Sequence, residues 1–486
     1  MDLSKMKKIY MVGIKGVGMA MLARFFAGNG LEVSGSDTSD TFMTDKPLKE
    51  AGIKIIERFD RENIPPDADL IVYSTAYNAE RNEEVAAALS GKTRTLTYAQ
   101  ALGEIFNQKY GIAVVGSHGK TTTTAWLGFV LDRAGLKPNV MVGSTVPQFD
   151  GPSLVSSSDY LIVEADEYQN KLQYFQPKGV LLNNIDYDHP DFFPTPDDYK
   201  NVFIEFIKKI PASGFLVANF DDPYIRRTAD VNCRGKVLSY AINEAANYVA
   251  YDLKGFNGEQ YFKVKMAAQE DDAVEEVSLG DFNIKLAGAH NVSNALAVIA
   301  AAIELEVPLS KIRTGLSEFT GTARRLERLG EFNGAIIYDD YAHHPAEIQA
   351  TLKAIRQLYP DHHQYRAGRC YPTDNRLIVV FHPHTFTRTK ALLDDFALSF
   401  DLADQVIVLD IYGSAREVQG GVHSKDLIEK LVEHNRERAD DCGQEITYVP
   451  TLDEAEKYLR DHLKRGDVVL LMGAGDVFRV GQNLLK

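Results

Sequence analysis

Short apolar runs, each closed by glycine or by acidic residues, alternate along the chain with stretches of helical periodicity, the pattern of parallel α/β sheets. Lys8–Val12 reads as a strand, GIKGVGM as a turn and Ala20–Gly28 as a helix, followed by strands at Leu31–Ser34 and Leu70–Tyr73. A second unit opens with Gly111–Val115, then GSHGKTTTT and a helix through Arg133. Its next strands, Tyr160–Glu164 and Val180–Asn184, end in acidic or polar residues. Between 231 and 285 the runs Val237–Tyr240, Tyr248–Leu253 and Tyr261–Met266, separated by polar turns, predict a small antiparallel appendage. The helix beginning near His290 returns to the core. After Phe319-Thr320-Gly321 a third unit places strands at Ile336–Asp339, Leu377–Phe381, Gln405–Leu409 and Val468–Met472. Residues 361–375, polar, aromatic and aperiodic, read as an exposed loop. The expected fold is α/β in three domains, 1–107, 108–321 and 322–486.

Length agrees: 486 residues accommodate about three domains at roughly 150 residues each. With 45% hydrophobic and 25% charged residues, sizeable cores are affordable and wholesale disorder is excluded. The balance of 53 basic and 68 acidic residues, formally −15, argues against nucleic acid as a partner. It leaves room for phosphate ligands, which backbone N–H groups and Mg²⁺ hold locally. Cys233, Cys370 and Cys442 make no CxxC pair and fit a reducing cytoplasm. The N-terminal apolar run is broken by Lys15 and several glycines, and no stretch approaches the roughly 18 apolar residues of a membrane span. The expectation is a cytoplasmic chain without a membrane segment, monomeric or homodimeric.

The strongest chemical signal is Gly116-Ser117-His118-Gly119-Lys120-Thr121-Thr122, fed by an apolar strand and left by a helix. Glycines let backbone N–H groups face phosphates, Lys120 adds a point charge, and Thr121 offers a hydroxyl to Mg²⁺. Read from Gly116 the spacing is shorter than GxxxxGK[ST], so only the GKT half matches the general motif. YLIVEADE delivers three carboxylates at a strand end and NNIDYDH follows the next strand. Strand C-termini of a parallel sheet gather on one edge, which makes Glu167 and His189 candidate Mg²⁺ neighbours of Thr121. The front loop Gly13-Ile-Lys-Gly16-Val-Gly18 is GxxGxG, not GxGxxG, yet sits between strand and helix as a pyrophosphate cradle does. With Asp37 ending the second strand, NAD binding is one reading of these residues alone.

Together GSHGKTTT, VEADE, NNIDYDH, GAHNVSNALA, GTARRLE and YDDYAHHPAE, in that order, resemble the Mur ligase family, the ATP-dependent amide-forming enzymes of peptidoglycan synthesis. The resemblance covers nearly the whole chain. It implies a Rossmann-like UDP-sugar domain, a central domain of the P-loop ATPase type and a Rossmann-like C-terminal domain that helps bind the amino acid. It also implies an acyl phosphate, formed when a carboxylate attacks the γ-phosphate of ATP and consumed by an amine. Cations must first bring two anions together, a task for Lys120 and two Mg²⁺ ions, with Thr121 and Glu167 at one and His189 near the other.

The resemblance reassigns Gly13, Gly16, Gly18, Asp37 and Ser74 to the UDP-sugar. It implies His290, Asn291 and Asn294 at the adenine, Arg325 at the ATP phosphates, Asp340 at the ribose and His344 at the reacting phosphate. His384 and Arg388 are left for the amino acid, whose carboxylate a guanidinium fork matches. Thr385 stands where some members carry arginine. GIKGVGM, VSGSD, HPHTFTRTKALLDDF, DIYGSARE and LLMGAGD imply UDP-N-acetylmuramate and L-alanine as substrates. Tyr168 after ADE keeps open a tripeptide (L-Ala-γ-D-Glu-diaminopimelate) as the amine donor. Outside the class stand an NAD(P)-dependent oxidoreductase and a silent nucleotide sensor, the latter expected to have lost Lys120, Glu167 or His344, all of which are present.

Overall fold

The computed structural model describes residues 3–486 apart from 43, 191, 257, 271–272, 360–363, 367–368, 372–375, 414–416, 418 and 439–443. Its first sheet orders five parallel strands Lys54–Ile56, Glu32–Ser36, Lys8–Val12, Leu70–Tyr73 and Arg94–Thr97, the doubly wound order. Helix Val17–Gly28 buries Met19, Leu22, Phe25 and Phe26. Its outer end packs against the central sheet, and Phe106 meets Phe175 edge-on at 5.0 Å, so the front and central cores are continuous.

The central sheet has ten strands, with Tyr110–Val115 flanked by Tyr160–Glu164 and Gly179–Leu182, both parallel to it. Ile112 and Val114 face the buried helices Lys120–Ala134 and Ala289–Glu304, while Ala113 and Val115 face the front domain. Both sides of this strand are therefore buried, which is why it reads as an unbroken apolar run.

The expected appendage is instead an extension of this sheet. Lys236–Ala241, expected to be antiparallel, runs parallel to Phe215–Asn219, because helix Pro223–Asn232 supplies the crossover. Tyr248–Phe256 continues parallel, and antiparallel pairing begins only with Glu259–Glu270 and Ala273–Ile284.

The third sheet orders Glu327–Phe332, Ala335–Asp340, Val468–Met472, Leu377–Phe381, Gln405–Val408 and Glu445–Tyr448, antiparallel only at its first pair. Of 361–375, expected as a loop, residues 364–366 and 369–371 pair as two antiparallel strands, and the rest lie outside the described residues. Ser414, Ala415 and Arg416 of DIYGSARE, and Cys442, lie outside them too. No described helix is long and apolar enough to cross a membrane.

Candidate active site

Val115 pairs with Leu182 and Val114 with Glu164, so Gly116, Glu164 and Asn183 emerge together at the edge where the strand order reverses. Gly119 has φ 79°, and a methyl there would come within 2.6 Å of Asn294 Oδ1, so the turn into helix Lys120–Ala134 requires glycine. His118 N–H donates to Asn184 Oδ1 (2.8 Å), and Ser117 Oγ to Asp186 O (2.6 Å). Lys120 Nζ donates to Gly116 O (2.5 Å) and Ser117 O (3.1 Å) and pairs with Glu167 at 3.3 Å. Burial opposes its charge, but the Glu167, Asp166 and Glu164 carboxylates outweigh it and raise its pKa.

Thr121 and Glu167 are divided between different partners. Thr121 Oγ1 donates to Glu164 Oε1 (2.7 Å), whose other oxygen accepts Gly143 N–H (2.6 Å). Glu167 is buried, accepts the Tyr199 hydroxyl (3.0 Å) and lies 3.8 Å from His189 Nε2. Donor atoms of Asp166, Glu167 and His189 fall within 4.8 Å of one another, and Asp166 also pairs with Lys171. Carboxylates gathered with an imidazole, and a hydroxyl on the adjoining helix turn, suit a hard divalent cation. VEADE displayed Glu164 and Asp166 in the sequence, but only Glu167 was singled out. Tyr199 carried no local signal.

Two cavities open from this edge. One, of about 780 Å³, runs from His118, Gly119 and Thr122 to His290, Asn291 and Asn294 and reaches Asp340. The other, of about 420 Å³, runs from Lys120, Thr121 and Glu167 to Gly16, Gly18 and Ser74. His118, Gly119, Arg325 and Glu347 line both, so the phosphate loop and the C-terminal domain form their common wall. Asn183 Oδ1 and Thr322 Oγ1, buried in the larger cavity's wall, have no hydrogen-bond partner. Asn291 donates to Ala287 O (2.7 Å) and Asn294 to Asn291 Oδ1 (3.2 Å), whereas His290 is exposed.

The C-terminal side is built on one hinge. Arg324, with φ 61°, is buried against Asp339 (3.0 Å) and Gly473 O (2.7 Å), which turns Arg325 toward Glu347 at 3.6 Å. Asp340 accepts Leu326 N–H (2.7 Å) and Ala342 N–H (2.8 Å) while lining the larger cavity; burial raises its pKa to about 6 despite Arg325. His344 Nδ1 accepts Ala346 N–H at the start of helix Pro345–Leu358, leaving Nε2 buried and unpartnered. Burial, reinforced by the charge of His118, whose ring centroid is 4.9 Å away, lowers the His344 pKa to about 4. Glu347, in the first turn of that helix, accepts His343 N–H (3.1 Å) and faces His118 Nδ1 (3.2 Å). Sequence reasoning passed over it.

Two expected residues are engaged within the protein. Asp37 is buried and accepts Lys15 N–H (2.7 Å), Thr38 N–H (2.8 Å) and the Tyr77 hydroxyl (3.1 Å). It supports the front loop and is not placed as a free acid for a ribose, which removes the main feature of the NAD reading. Arg388 is buried against Asp188 of the central domain, through Nε (3.0 Å) and Nη2 (3.2 Å). Arg388 Nη1 lies 3.3 Å from His384 Nδ1, and burial with the nearby cations lowers the His384 pKa to about 3.

Residues 8–110 match the Mur ligase family catalytic domain, 114–302 the Mur ligase middle domain, and 324–475 the Mur ligase glutamate ligase domain. The chain belongs to the Mur ligase family and is an ATP-dependent ligase. It is 37% identical over 478 residues to a UDP-N-acetylmuramate–L-alanine ligase of Desulfitobacterium hafniense, covering 98% of this chain and 99% of the relative. Identity is again 37%, over 489 residues, with the enzyme of that name from Acetivibrio thermocellus, covering 100% and 97%. The crystal structure of a UDP-N-acetylmuramate–alanine ligase from Thermotoga maritima shares the fold with a TM-score of 0.77 at 24% identity, covering 99% of this chain and 98% of that one.

Proposed function

We propose that this chain joins L-alanine to the lactyl carboxylate of UDP-N-acetylmuramate, with ATP cleaved to ADP and phosphate. The observation that carries the reading is the common wall of the two cavities. It sets the phosphate loop between a nucleotide space bounded by Asn291, Asn294 and Asp340 and an acceptor space bounded by the front glycine loop. The full-length identity to two ligases of that name supports the choice of substrates. The proposed division is 1–107 for the UDP-sugar, 108–321 for ATP and 322–486 for the amino acid and closure, with one large sheet to each. The cell compartment that fits is the cytoplasm.

A lactyl oxygen attacks the γ-phosphorus, the bond to ADP breaks, and an acyl phosphate results. The amine then attacks the acyl carbon and phosphate leaves as the amide forms. Lys120, kept charged by its carboxylates, offsets the repulsion of the two anions. Thr121 and Glu167 would hold one Mg²⁺ and His189 a second, and the bound ions would neutralise phosphate charge. His344 is neutral and, with Nδ1 accepting a backbone N–H, carries its proton on Nε2, a fixed donor at the wall of the smaller cavity. Arg325 contributes positive charge from the C-terminal domain to both cavities. Burial of the acceptor space between three domains keeps water from an acyl phosphate that would otherwise hydrolyse.

The test is phosphate release from MgATP and UDP-N-acetylmuramate, comparing L-alanine with L-Ala-γ-D-Glu-diaminopimelate. Release with L-alanine is the expected result. Release with the tripeptide alone would replace L-alanine as the substrate, and release with neither would sink both ligase readings.

A further inference from the structure

Two imidazoles face each other at the wall of the smaller cavity, His118 of the phosphate loop and His344 at the start of helix Pro345–Leu358. Their ring centroids are 4.9 Å apart and their planes are tilted by 43°. The two rings have different neighbours. His118 Nδ1 lies 3.2 Å from Glu347 Oε1, and its Nε2 lies 3.2 Å from Asp186 Oδ2. His344 has no carboxylate at either nitrogen: Nδ1 accepts the Ala346 N–H, and Nε2 is buried without a partner. Like charges this close repel strongly away from water, so the pair holds one positive charge and not two. Where the carboxylates stand decides which ring holds it. Glu347 is the stronger of the two, because its side chain is 10% exposed against 50% for Asp186 and solvent screens it less. It is also held in place. Oε2 accepts the His343 N–H (3.1 Å), which leaves Oε1 for His118 and, at 3.6 Å, for Arg325. The other charged groups near His344 are Asp188, which favours a proton on it, and His343, which opposes one.

We infer that Glu347 is a positioning residue for phosphoryl transfer, fixing the positive charge of the facing imidazoles on His118 and so keeping His344 neutral. The inference rests on the proposed ligase reading, in which His344 is a neutral donor, and it supplies the cause of that neutrality. With the charge on His118, the phosphate loop carries a second cation besides Lys120, at a position that lines both cavities. With the charge on His344 instead, the loop would lose that cation. The directions of the two shifts agree with the geometry. Against burial, the carboxylates raise the His118 pKa to about 9, while burial and the charge of His118 lower that of His344 to about 4. Glu347 stands 229 positions from His118, on the C-terminal domain, whereas the loop belongs to the central one. The charge is therefore set across the boundary of the two domains, and only while they are in contact.

The test follows both rings by NMR of the full-length chain labelled at histidine, with His118→Gln and His344→Gln assigning the signals. In wild type near pH 7, His118 is charged and His344 is neutral with its proton on Nε2. A neutral His118 or a charged His344 at that pH overturns the inference. Glu347→Gln keeps the shape and removes the charge, and the His118 midpoint falls by about two pH units; Asp186→Asn moves it by less than about one. An equal or larger shift from Asp186→Asn also overturns the inference. Turnover gives a separate readout. The kcat of Glu347→Gln is lower than wild type by about tenfold or more at pH 8.5, and within about threefold of it at pH 6, where His118 stays protonated in both. A deficit equal at the two pH values would mean a carboxylate that only packs the domains together, which is the third result against the inference. The titrations need no turnover. Wild-type turnover without these shifts sinks the inference alone, whereas no phosphate release by wild type sinks the ligase reading and, with it, the step that Glu347 would serve.

Discussion

Glycine-rich turns at Gly13–Gly18 and Gly116–Gly119 each leave a buried parallel strand and open a helix, yet they handle charge in opposite ways. In the front turn Lys15 is 1% exposed, turned inward to Asp40 O and Glu57 (both 3.0 Å) and Asp45 (3.5 Å). Asp37 is held under the same turn by two backbone N–H groups and Tyr77. The turn shows the cavity only Gly16, Val17 and Gly18. In the central turn Lys120 lines the cavity, with Glu167 and Asp166 beside it. A shared backbone device thus serves two tasks. In the proposed reaction one turn cradles a ligand that undergoes no reaction there, and the other adds positive charge where phosphoryl transfer takes place.

The widest separation between the two turns comes from their lysines. Lys120→Ala lowers acyl-phosphate formation by about 10²–10³-fold, the scale for losing one electrostatic contact to a transition state, and leaves UDP-N-acetylmuramate affinity unchanged. Rapid-quench phosphate assays and a titration of the acceptor measure both, and substantial remaining turnover would erase the distinction. Lys15→Met acts on the fold instead. Losing the buried cation costs about 2 kcal/mol, discounted because the Glu57 carboxylate is largely in solvent. The denaturation midpoint falls while both nucleotide KM values hold. A catalytic loss on the Lys120 scale would place Lys15 at a ligand.

The central turn also carries a titrating contact that the front turn lacks. His118 faces Glu347 through Nδ1 and Asp186 through Nε2, each at 3.2 Å. Burial alone would lower its pKa, but the two carboxylates raise it to about 9, above the ordinary 6.5. A pKa raised by folding means stabilisation fully present below pH 6.5 and lost as pH rises through about 9. His118→Gln therefore lowers the melting temperature at pH 6 and leaves it unchanged at pH 10. A gap that is constant with pH would mean that the ring contributes by packing alone.

How much of this was legible in the sequence depended on distance along the chain. Apolar runs such as Tyr160–Glu164, Leu377–Phe381 and Val468–Met472 announced themselves because both faces are buried. Edge strands Lys54–Ile56, Arg94–Thr97 and Glu445–Tyr448 passed unnoticed, being short and partly solvated. The parallel course of Lys236–Ala241 was hidden because its crossover helix is strongly polar. At the site, the phosphate loop and the VEADE acids are local motifs and could be read directly. The division of Thr121 to Glu164 and Glu167 to Lys120 could not, since register across strands decides it. Asp188 with Arg388, and His118 with Glu347, are products of domain packing and leave no trace in spacing.

The smallest effect separates folding from binding within a single residue. Gly16 has φ −58° and ψ 142°, a conformation open to any residue, and a methyl there would meet only Gly13 O, at 3.7 Å. Gly119, with positive φ and Asn294 Oδ1 in the way, has no such freedom. Gly16→Ala should therefore leave stability within about 0.5 kcal/mol of the parent. Because Gly16 lines the smaller cavity, the methyl crowds whatever lies against the turn. Crowding of about 1 kcal/mol raises the acceptor KM roughly fivefold and leaves the ATP KM alone. An unchanged acceptor KM would mean that the front turn does not approach its ligand at Gly16, and the contrast with the central turn would then rest on Lys120 alone. A rise in both KM values would mean that the methyl disturbs the phosphate loop across the shared cavity, and the two turns would no longer be separable.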